Sequence, residues 1–493
     1  MQYNPLNRLA GETAIYGLGT IVPRLLNYLL VPFYTYLVFN SEEYGQITEL
    51  YSYVAFLAVL LTFGLETAYF RYANSSNNPQ KVFNVSFQFI TVAALLFFIT
   101  VWYFLTPITL KIGYGDHPEY LLMLAGIVAL DAISALPFAW LRYHRKAKVF
   151  SGIKIMNVVI NISGNILLLV VFPKMLQPET MHYFPYYLTT NVGMVFISNL
   201  IASFATLLMV SPVFKSFDLT LDAKLLKMLL VYGIPILIIS LAGMVNEVAD
   251  KLFMKYLLPD KTTAVSQLGI YGANYKLAIL MMLFIQMFRY AFEPFFFAES
   301  KKKDSKKIYA SVMNWFVIFT WLIFLSVTLY IDLFKYFVGP AFREGLAVVP
   351  VILAAKMFLG IFYTLSVWYK LTNKTYYGSL IAVTGAIITI VLNIVLIPRY
   401  GYIGAAWANF ICYFSMMVIS YLWGQKIFKV PYNLKKIFFY SALATFIFFL
   451  SSYFSIQSTV LRLTVNTVLF SVFVVAVLII EKKGFLSGIQ TNR

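Results

Sequence analysis

The chain has 493 residues and a net charge of +18, yet only 12% of its residues are charged and 61% are hydrophobic. Soluble domains carry roughly 25% charged residues, so most of this chain does not face water. In a soluble protein the positive balance would point to nucleic acid; here it is split among short loops between apolar runs, which excludes that partner.

A helix needs about 20 mostly apolar residues to cross a bilayer, and on that rule the sequence predicts fourteen spans. They lie near 12–38, 44–70, 82–107, 118–141, 150–172, 185–210, 226–258, 267–297, 308–330, 343–367, 375–397, 402–424, 434–455 and 459–480. The first run lacks the basic region and small-residue cleavage site of a signal peptide and is expected to stay as a span. It carries Gly17, Gly19, Pro23, Arg24 and Pro32. Further prolines sit in the fourth span (Pro137), the seventh (Pro235) and the tenth (Pro350). Interior proline removes a backbone hydrogen bond, so each is an expected kink or hinge. The single cysteine, Cys412, lies in an apolar run, is read as packing, and excludes a disulfide framework.

The loops alternate in charge. Arg142–Lys148, Lys215–Lys227, Lys301–Lys307, Lys426–Lys436 and the tail with Lys482 and Lys483 are basic, whereas the intervening loops hold single cations such as Lys111, Lys174, Lys261, Arg399 and Arg462. Basic loops stay in the cytoplasm, which puts both termini inside and agrees with an even number of spans. No GxxxxGK[ST] phosphate loop is present, so any pumping must draw on a gradient, the membrane potential or a downhill substrate.

A weak internal duplication is visible. Ile15-Tyr16-Gly17 is echoed by Val231-Tyr232-Gly233, Tyr44-Gly45 by Leu268-Gly269, and Lys81-Val82-Phe83 by Lys307-Ile308-Tyr309. Six spans separate the copies, and an even number preserves orientation, so these are expected to be parallel repeats. The expected division is 1–210 and 211–430, six spans each, with 431–493 as two added spans and a tail.

Ionisable residues inside spans cost roughly 2.5–3.5 kcal/mol each at the bilayer centre and mark functional sites by default. The basic ones are Arg24, Lys154, Lys251, Lys255, Lys276, Arg289 and Lys356; the acidic ones are Glu66, Asp131, Glu247, Asp250 and Glu293. Glu247 and Lys251, and Arg289 and Glu293, are spaced to pair on one helix face, and Lys154 is placed to snorkel. Arg24, Lys276 and Lys356 have no acidic residue at i±3 or i±4. Arg24, Lys251, Lys255, Lys276, Arg289 and Lys356 are therefore the candidate cations of a cavity for a multiply negative substrate. Glu66, Asp131, Glu247, Asp250 and Glu293 are the candidate ion-coupling acids.

Three stretches resemble a known family. They are Asn246-Glu247-Val248-Ala249-Asp250-Lys251 followed by Leu268-Gly269-Ile270-Tyr271-Gly272-Ala273-Asn274-Tyr275-Lys276-Leu277, then Leu392 through Pro398-Arg399-Tyr400-Gly401 to Ala406, and the N-terminal run through Arg24 with Tyr44-Gly45. The chain resembles polysaccharide-exporting flippases of the Wzx type in the MOP superfamily. That resemblance implies an all-α integral membrane fold with a MATE-like arrangement: two pseudo-symmetric six-helix bundles around a central cavity, plus two C-terminal helices. It implies translocation of undecaprenyl-diphosphate-linked oligosaccharide, for O-antigen, capsule or exopolysaccharide synthesis, across a bacterial inner membrane. It places Arg24 where related lipid-linked-sugar flippases carry a cavity arginine. It implies no cofactor, leaves coupling to Na+ or H+ open, and makes membrane lipid and glycan polymerase machinery the expected partners. The competing readings are a lipid II flippase, a cation-coupled drug exporter of the MATE branch, and a membrane-embedded glycan polymerase or ligase. The last would be expected to carry a large external loop, and the longest external loops here are about a dozen residues, near the usual upper range for structureless connections.

Overall fold

The computed structural model describes residues 5–175, 190–219, 222–300, 302, 304–454 and 457–490. Among these residues every regular element is helical, the arrangement that lets a chain satisfy its backbone polar groups in lipid without a partner strand. Thirteen helical stretches are long and apolar enough to cross a membrane. One of them, Tyr376–Ile427, is two helices: Gly401, at φ 56° and ψ −136°, breaks it. The described residues therefore hold the fourteen expected spans, and the chain is a multi-pass membrane protein.

These are α1 (Gly17–Val38), α2 (Ser41–Ser75), α3 (Pro79–Tyr103), α4 (Pro118–Tyr143), α5 (Ala147–Lys174), α6 (Asn191–Lys215), α7 (Ala223–Leu257), α8 (Lys261–Phe292), α9 (Ser305–Leu329), α10 (Pro340–Leu371), α11 and α12 (the two arms of Tyr376–Ile427), α13 (Leu434–Tyr453) and α14 (Thr459–Lys482). The expected start of the sixth span, 185–189, lies outside the described residues. Large apolar side chains such as Leu37, Tyr103, Phe438 and Leu478 are exposed, as lipid-facing positions must be.

The prolines act unequally. α1 breaks at Leu29, between the helices Pro5–Tyr28 and Leu30–Phe33, because Pro32 has no N–H to offer the Tyr28 carbonyl four residues back. Pro23, Pro137 and Pro235 lie within unbroken helices. Pro350 differs from the expected interior kink: it opens the α-helix Val349–Leu365 after a 3-10 segment, Pro340–Val348, a position where its missing N–H costs nothing.

The chain forms two compact units, Met1–Gly269 and Ile270–Arg493. Compactness and duplication are separate properties: the first unit runs on through α7 because α7 packs along α2. That packing has a local cause. α2 bends at Phe63 and Gly64, both with positive φ, and a Cβ at Gly64 would run into the Gly233 carbonyl of α7. At the other end of α2, Ser41 and Ser266 share a 2.7 Å hydrogen bond, and Gly45 and Gly269 let the two backbones close in. The unit's core is apolar, built around Tyr69, Phe83, Ile90 and Leu136, all at 0% exposure.

In the second unit α10 packs on the arms of α11 and α12 around Leu359, Ile381, Cys412 and Met416. α13 and α14 are fastened to α9. Trp321 donates to Ser441 at 3.0 Å, and Asn466 donates to the Leu329 carbonyl at 2.6 Å. Asp332 takes Lys335 at 2.9 Å and also Arg462 of α14, while Lys436 of α13 pairs with Glu481 of α14 at 2.8 Å.

Candidate functional site

The polar part of unit 1 is built on α1, α4, α5 and α6. After the break at Leu29, α1 ends in a π-helical turn, Tyr34–Val38, and α5 carries another at Leu167–Val171. Such turns recur at functional sites. Between them the Tyr34 hydroxyl donates to Asn165 Oδ1 at 2.6 Å. Asn165 donates to the carbonyl and side-chain oxygens of Asn161 at 2.8 and 3.1 Å, and Asn161 donates to Asn27 Oδ1 at 3.4 Å. One turn back along α5, Asn157 donates to the Ala202 carbonyl and to Thr206 on α6 at 3.1 and 2.8 Å. Residues 154, 157, 161 and 165 recur at helical spacing, so α5 presents one polar stripe.

The charges join this stripe at its lower end. Arg24 sits one turn before Asn27 and is exposed. Asp131 lies at the middle of α4, is exposed, and hydrogen-bonds Ser203 of α6. The Lys154 ammonium lies 4.0 Å from the Phe138 ring and within electrostatic reach of Asp131, Glu66, Arg142 and Arg24. Lys154, placed by the sequence to snorkel, lies within electrostatic reach of Asp131 and so belongs with the charged cluster. Glu66 pairs with Arg142 at 2.6 Å, both side chains being a little over a third exposed. Exposed charge inside a span is too costly to face lipid, so Arg24, exposed at its position, is suited to border a polar cavity, with Asp131 held nearby by Ser203. The cluster offers cations to an anion and, in Asp131, a carboxylate able to exchange a proton.

α7 shows a different chemistry. Lys255 is buried and pairs with Glu49 of α2 at 3.0 Å, donates to the Ile112 carbonyl at 2.7 Å and lies 4.0 Å from the Tyr114 ring. The Tyr114 hydroxyl donates to the same Glu49 oxygen at 2.7 Å. The Lys255 charge is thus neutralised on the spot. Lys251 pairs with Asp250 at 3.3 Å and donates to the Glu247 backbone carbonyl at 2.9 Å. Glu49 was missed in the sequence: it lies within the second span, but its partner is 206 residues away.

In unit 2, Lys356 is fully buried at 0% exposure, its ammonium 4.9 Å from the Tyr275 ring and 5.1 Å from the Tyr413 ring, distances at which aromatic faces attract a cation. Lys276 is exposed and opens a 3-10 turn, Lys276–Ala278, within α8. Arg289 stacks 4.2 Å over Tyr363 in a crevice that also holds Lys370, Ser366 and Phe292. The side chain of Glu293, expected to pair with Arg289, lies outside the described residues. Among the described residues no three His, Cys, Asp or Glu side chains gather where a metal could sit.

The geometry brings together Arg24, Asp131 and Glu66 with Lys154, and separately Asp250 with Lys251 and Lys255 with Glu49. Besides Glu49, the reading of the sequence passed over the amides Asn27, Asn157, Asn161 and Asn165, and it left Lys154 out of the candidate cations. The period of the α5 stripe was the signal that would have found them.

The fold is similar to that of solved membrane-protein structures. A structure described as "Lipid II flippase MurJ, inward closed conformation" superposes with a TM-score of 0.69 at 15% identity, covering 94% of this chain and 99% of that one. Inward-facing and outward-facing structures of a multidrug resistance MATE family transporter of the MOP superfamily give TM-scores of 0.61 and 0.58 at 13% and 14% identity, covering 84% and 86% of this chain and 97% and 96% of theirs. No family model matches the chain, and no curated protein matches it.

Proposed function

We propose that this protein is a flippase that moves a polyprenyl-diphosphate-linked oligosaccharide across a bacterial inner membrane by alternating access, in the service of surface polysaccharide synthesis, and that it is not an enzyme. The observation that carries the reading is the charged cluster of unit 1, with Arg24 exposed inside a span and Lys154 within electrostatic reach of it. A diphosphate needs such cations, sugars need a polar wall, and a polyprenyl tail can remain in lipid. The planar fork of Arg24 can hold two phosphate oxygens, whereas Lys154, Lys276 and Lys356 act as point charges. Asp131 is the candidate for ion coupling, with Glu66, Glu247, Asp250 and Glu293 behind it. The basic loops put both termini in the cytoplasm, and a glycan polymerase is the partner expected to consume the product.

A second reading, a lipid II flippase, is favoured by the near-complete overlap with the solved structure of that description. The test is flipping in proteoliposomes with fluorescent lipids: polyprenyl-diphosphate oligosaccharide, lipid II and a lipophilic cation. The proposal expects the first to move, Arg24→Lys to slow it and Arg24→Ala to slow it further. Movement of lipid II alone would establish the second reading. Full transport by Arg24→Ala/Lys276→Ala/Lys356→Ala, present at wild-type amounts, would remove the cationic mechanism.

A further inference from the structure

The amide stripe carries no charge to match a diphosphate, yet it adjoins the cations in a fixed order. α1 and α5 run parallel: Ser151 donates to the Ile15 carbonyl, Asn161 to Asn27, and Tyr34 to Asn165, residue numbers rising together on both helices. On each helix a cation precedes an amide in the same direction, Arg24 before Asn27 and Lys154 before Asn161. At 1.5 Å per residue, the amides stand roughly 5 to 10 Å further along than the cations.

Two of the amides are accounted for by packing. Asn165 is buried and bonded to Tyr34 and Asn161, and Asn157 bonds α6. Interhelical amide bonds of this kind hold membrane bundles together. Asn27 and Asn161 differ. Their 3.4 Å contact is longer than the usual 2.9–3.0 Å, Asn27 is exposed, and Asn161 is only half buried. A carboxamide has two donor hydrogens and two acceptor lone pairs, and this one contact uses a single lone pair of Asn27. Two amides meeting at an open face, beyond a pair of cations, match a hydroxyl-bearing ring attached to a phosphate: hydroxyls both give and accept, as carboxamides do.

We propose that Asn27 and Asn161 bind the sugar ring attached directly to the diphosphate, so that unit 1 reads the identity of that first saccharide while Arg24 and Lys154 hold the charge. The inference rests on the flippase reading above and adds the specificity site to it. The test is equilibrium binding to the full chain in nanodiscs, using a short-chain polyprenyl diphosphate and the same lipid bearing one hexose. The wild type should prefer the hexose lipid. Asn27→Ala, at an exposed position, and Asn161→Ala should each weaken the hexose lipid by about threefold to tenfold, as expected for one lost hydrogen bond, and leave the bare diphosphate lipid unchanged. Asn27→Gln, which keeps the amide, should recover part of the preference. If wild type binds both lipids equally, or if the alanine variants keep the wild-type preference, the sugar site is wrong while the flippase reading stands. If wild type binds neither lipid, the flippase reading falls and takes the sugar site with it.

Discussion

Replacing Lys255 by methionine removes the ammonium from a pocket where Glu49 is at 0% exposure and leaves that carboxylate with the Tyr114 hydroxyl. Breaking a buried pair by removing one partner costs about 3–5 kcal/mol, because an uncompensated charge stays behind. At 1.4 kcal/mol per tenfold, this is a loss of about a hundredfold to a thousandfold or more in the folding equilibrium. Glu49→Gln should cost a similar amount, since it strands Lys255. The double variant Glu49→Gln/Lys255→Met strands neither charge and should recover about 2–3 kcal/mol of the summed loss, the upper range of coupling between contacting residues. Glu66→Gln is the contrast. Its pair with Arg142 is partly exposed on both sides, and pairs open to solvent are worth at most about 1 kcal/mol. The assay is equilibrium unfolding of the purified protein in mixed micelles, with all four variants compared on one scale. Refutation would be a Lys255→Met cost no larger than that of Glu66→Gln, or a double variant equal to the sum of the singles. Either result would mean that water reaches the pair and that the α2–α7 contact rests on packing alone.

Three further outcomes are expected. Gly269→Ala should lower stability by about 1–3 kcal/mol through overpacking, because its Cβ would fall on the Ser41 backbone, whereas Gly243→Ala, with open space around it, should not; equal effects in the same titration would refute the close approach. In a Cys412→Ala background, a cysteine at Gly115 should react with an impermeant reagent in intact cells and cysteines at Lys146 and Lys429 only after permeabilisation, and the inverse pattern would overturn the orientation. Asp222 pairs with Lys81 at 2.7 Å and caps α7 at the Leu225 amide; the hydrogen bond from Lys81, then that from Leu225, holds its carboxyl below the ordinary range. A depressed carboxyl stabilises the fold above its unfolded pKa, about 3.9, and that contribution is lost as pH falls through the lower folded value. Amide exchange at the start of α7 should therefore rise only in acid below about pH 4, and Asp222→Asn should abolish that dependence.

The spans were legible because length and hydropathy are local: even the break at Gly401 fell between two predicted spans. Pro350 was misjudged because its role depends on whether the preceding turn is α or 3-10, which hydrophobicity does not encode. The charges divide along a sharper line. Spacing shows only partners three or four residues away, so it offered Glu247 to Lys251 and could not offer Glu49 to Lys255 or Glu66 to Arg142, which lie 206 and 76 residues apart. The amides were passed over for another reason: they carry no charge, and the insertion cost that drew attention to Arg24 is smaller for them. Their common face on α5 becomes meaningful only beside Asn27 and the α6 backbone.

The duplication expected from the sequence would give these charges a common frame. Asp131 lies in the fourth span and Lys356 in the tenth, 225 residues later, an offset within that of the matched motifs. On the duplication expected from the sequence, the two would occupy equivalent places in the two repeats, and they carry opposite charge. Their surroundings have diverged in step. Asp131 is exposed and bonded to Ser203 of α6; Lys356 is buried against Tyr413 of α12, the equivalent sixth helix of its own repeat. A scaffold duplicated for symmetry would have little reason to keep two costly charges of opposite sign at one position. A transporter, the role proposed above, would have a reason. Its two halves would share the helices that move, while the proposed substrate is asymmetric, charged at one end and neutral at the other. Repeated helices carrying unlike side chains at corresponding positions would meet both requirements.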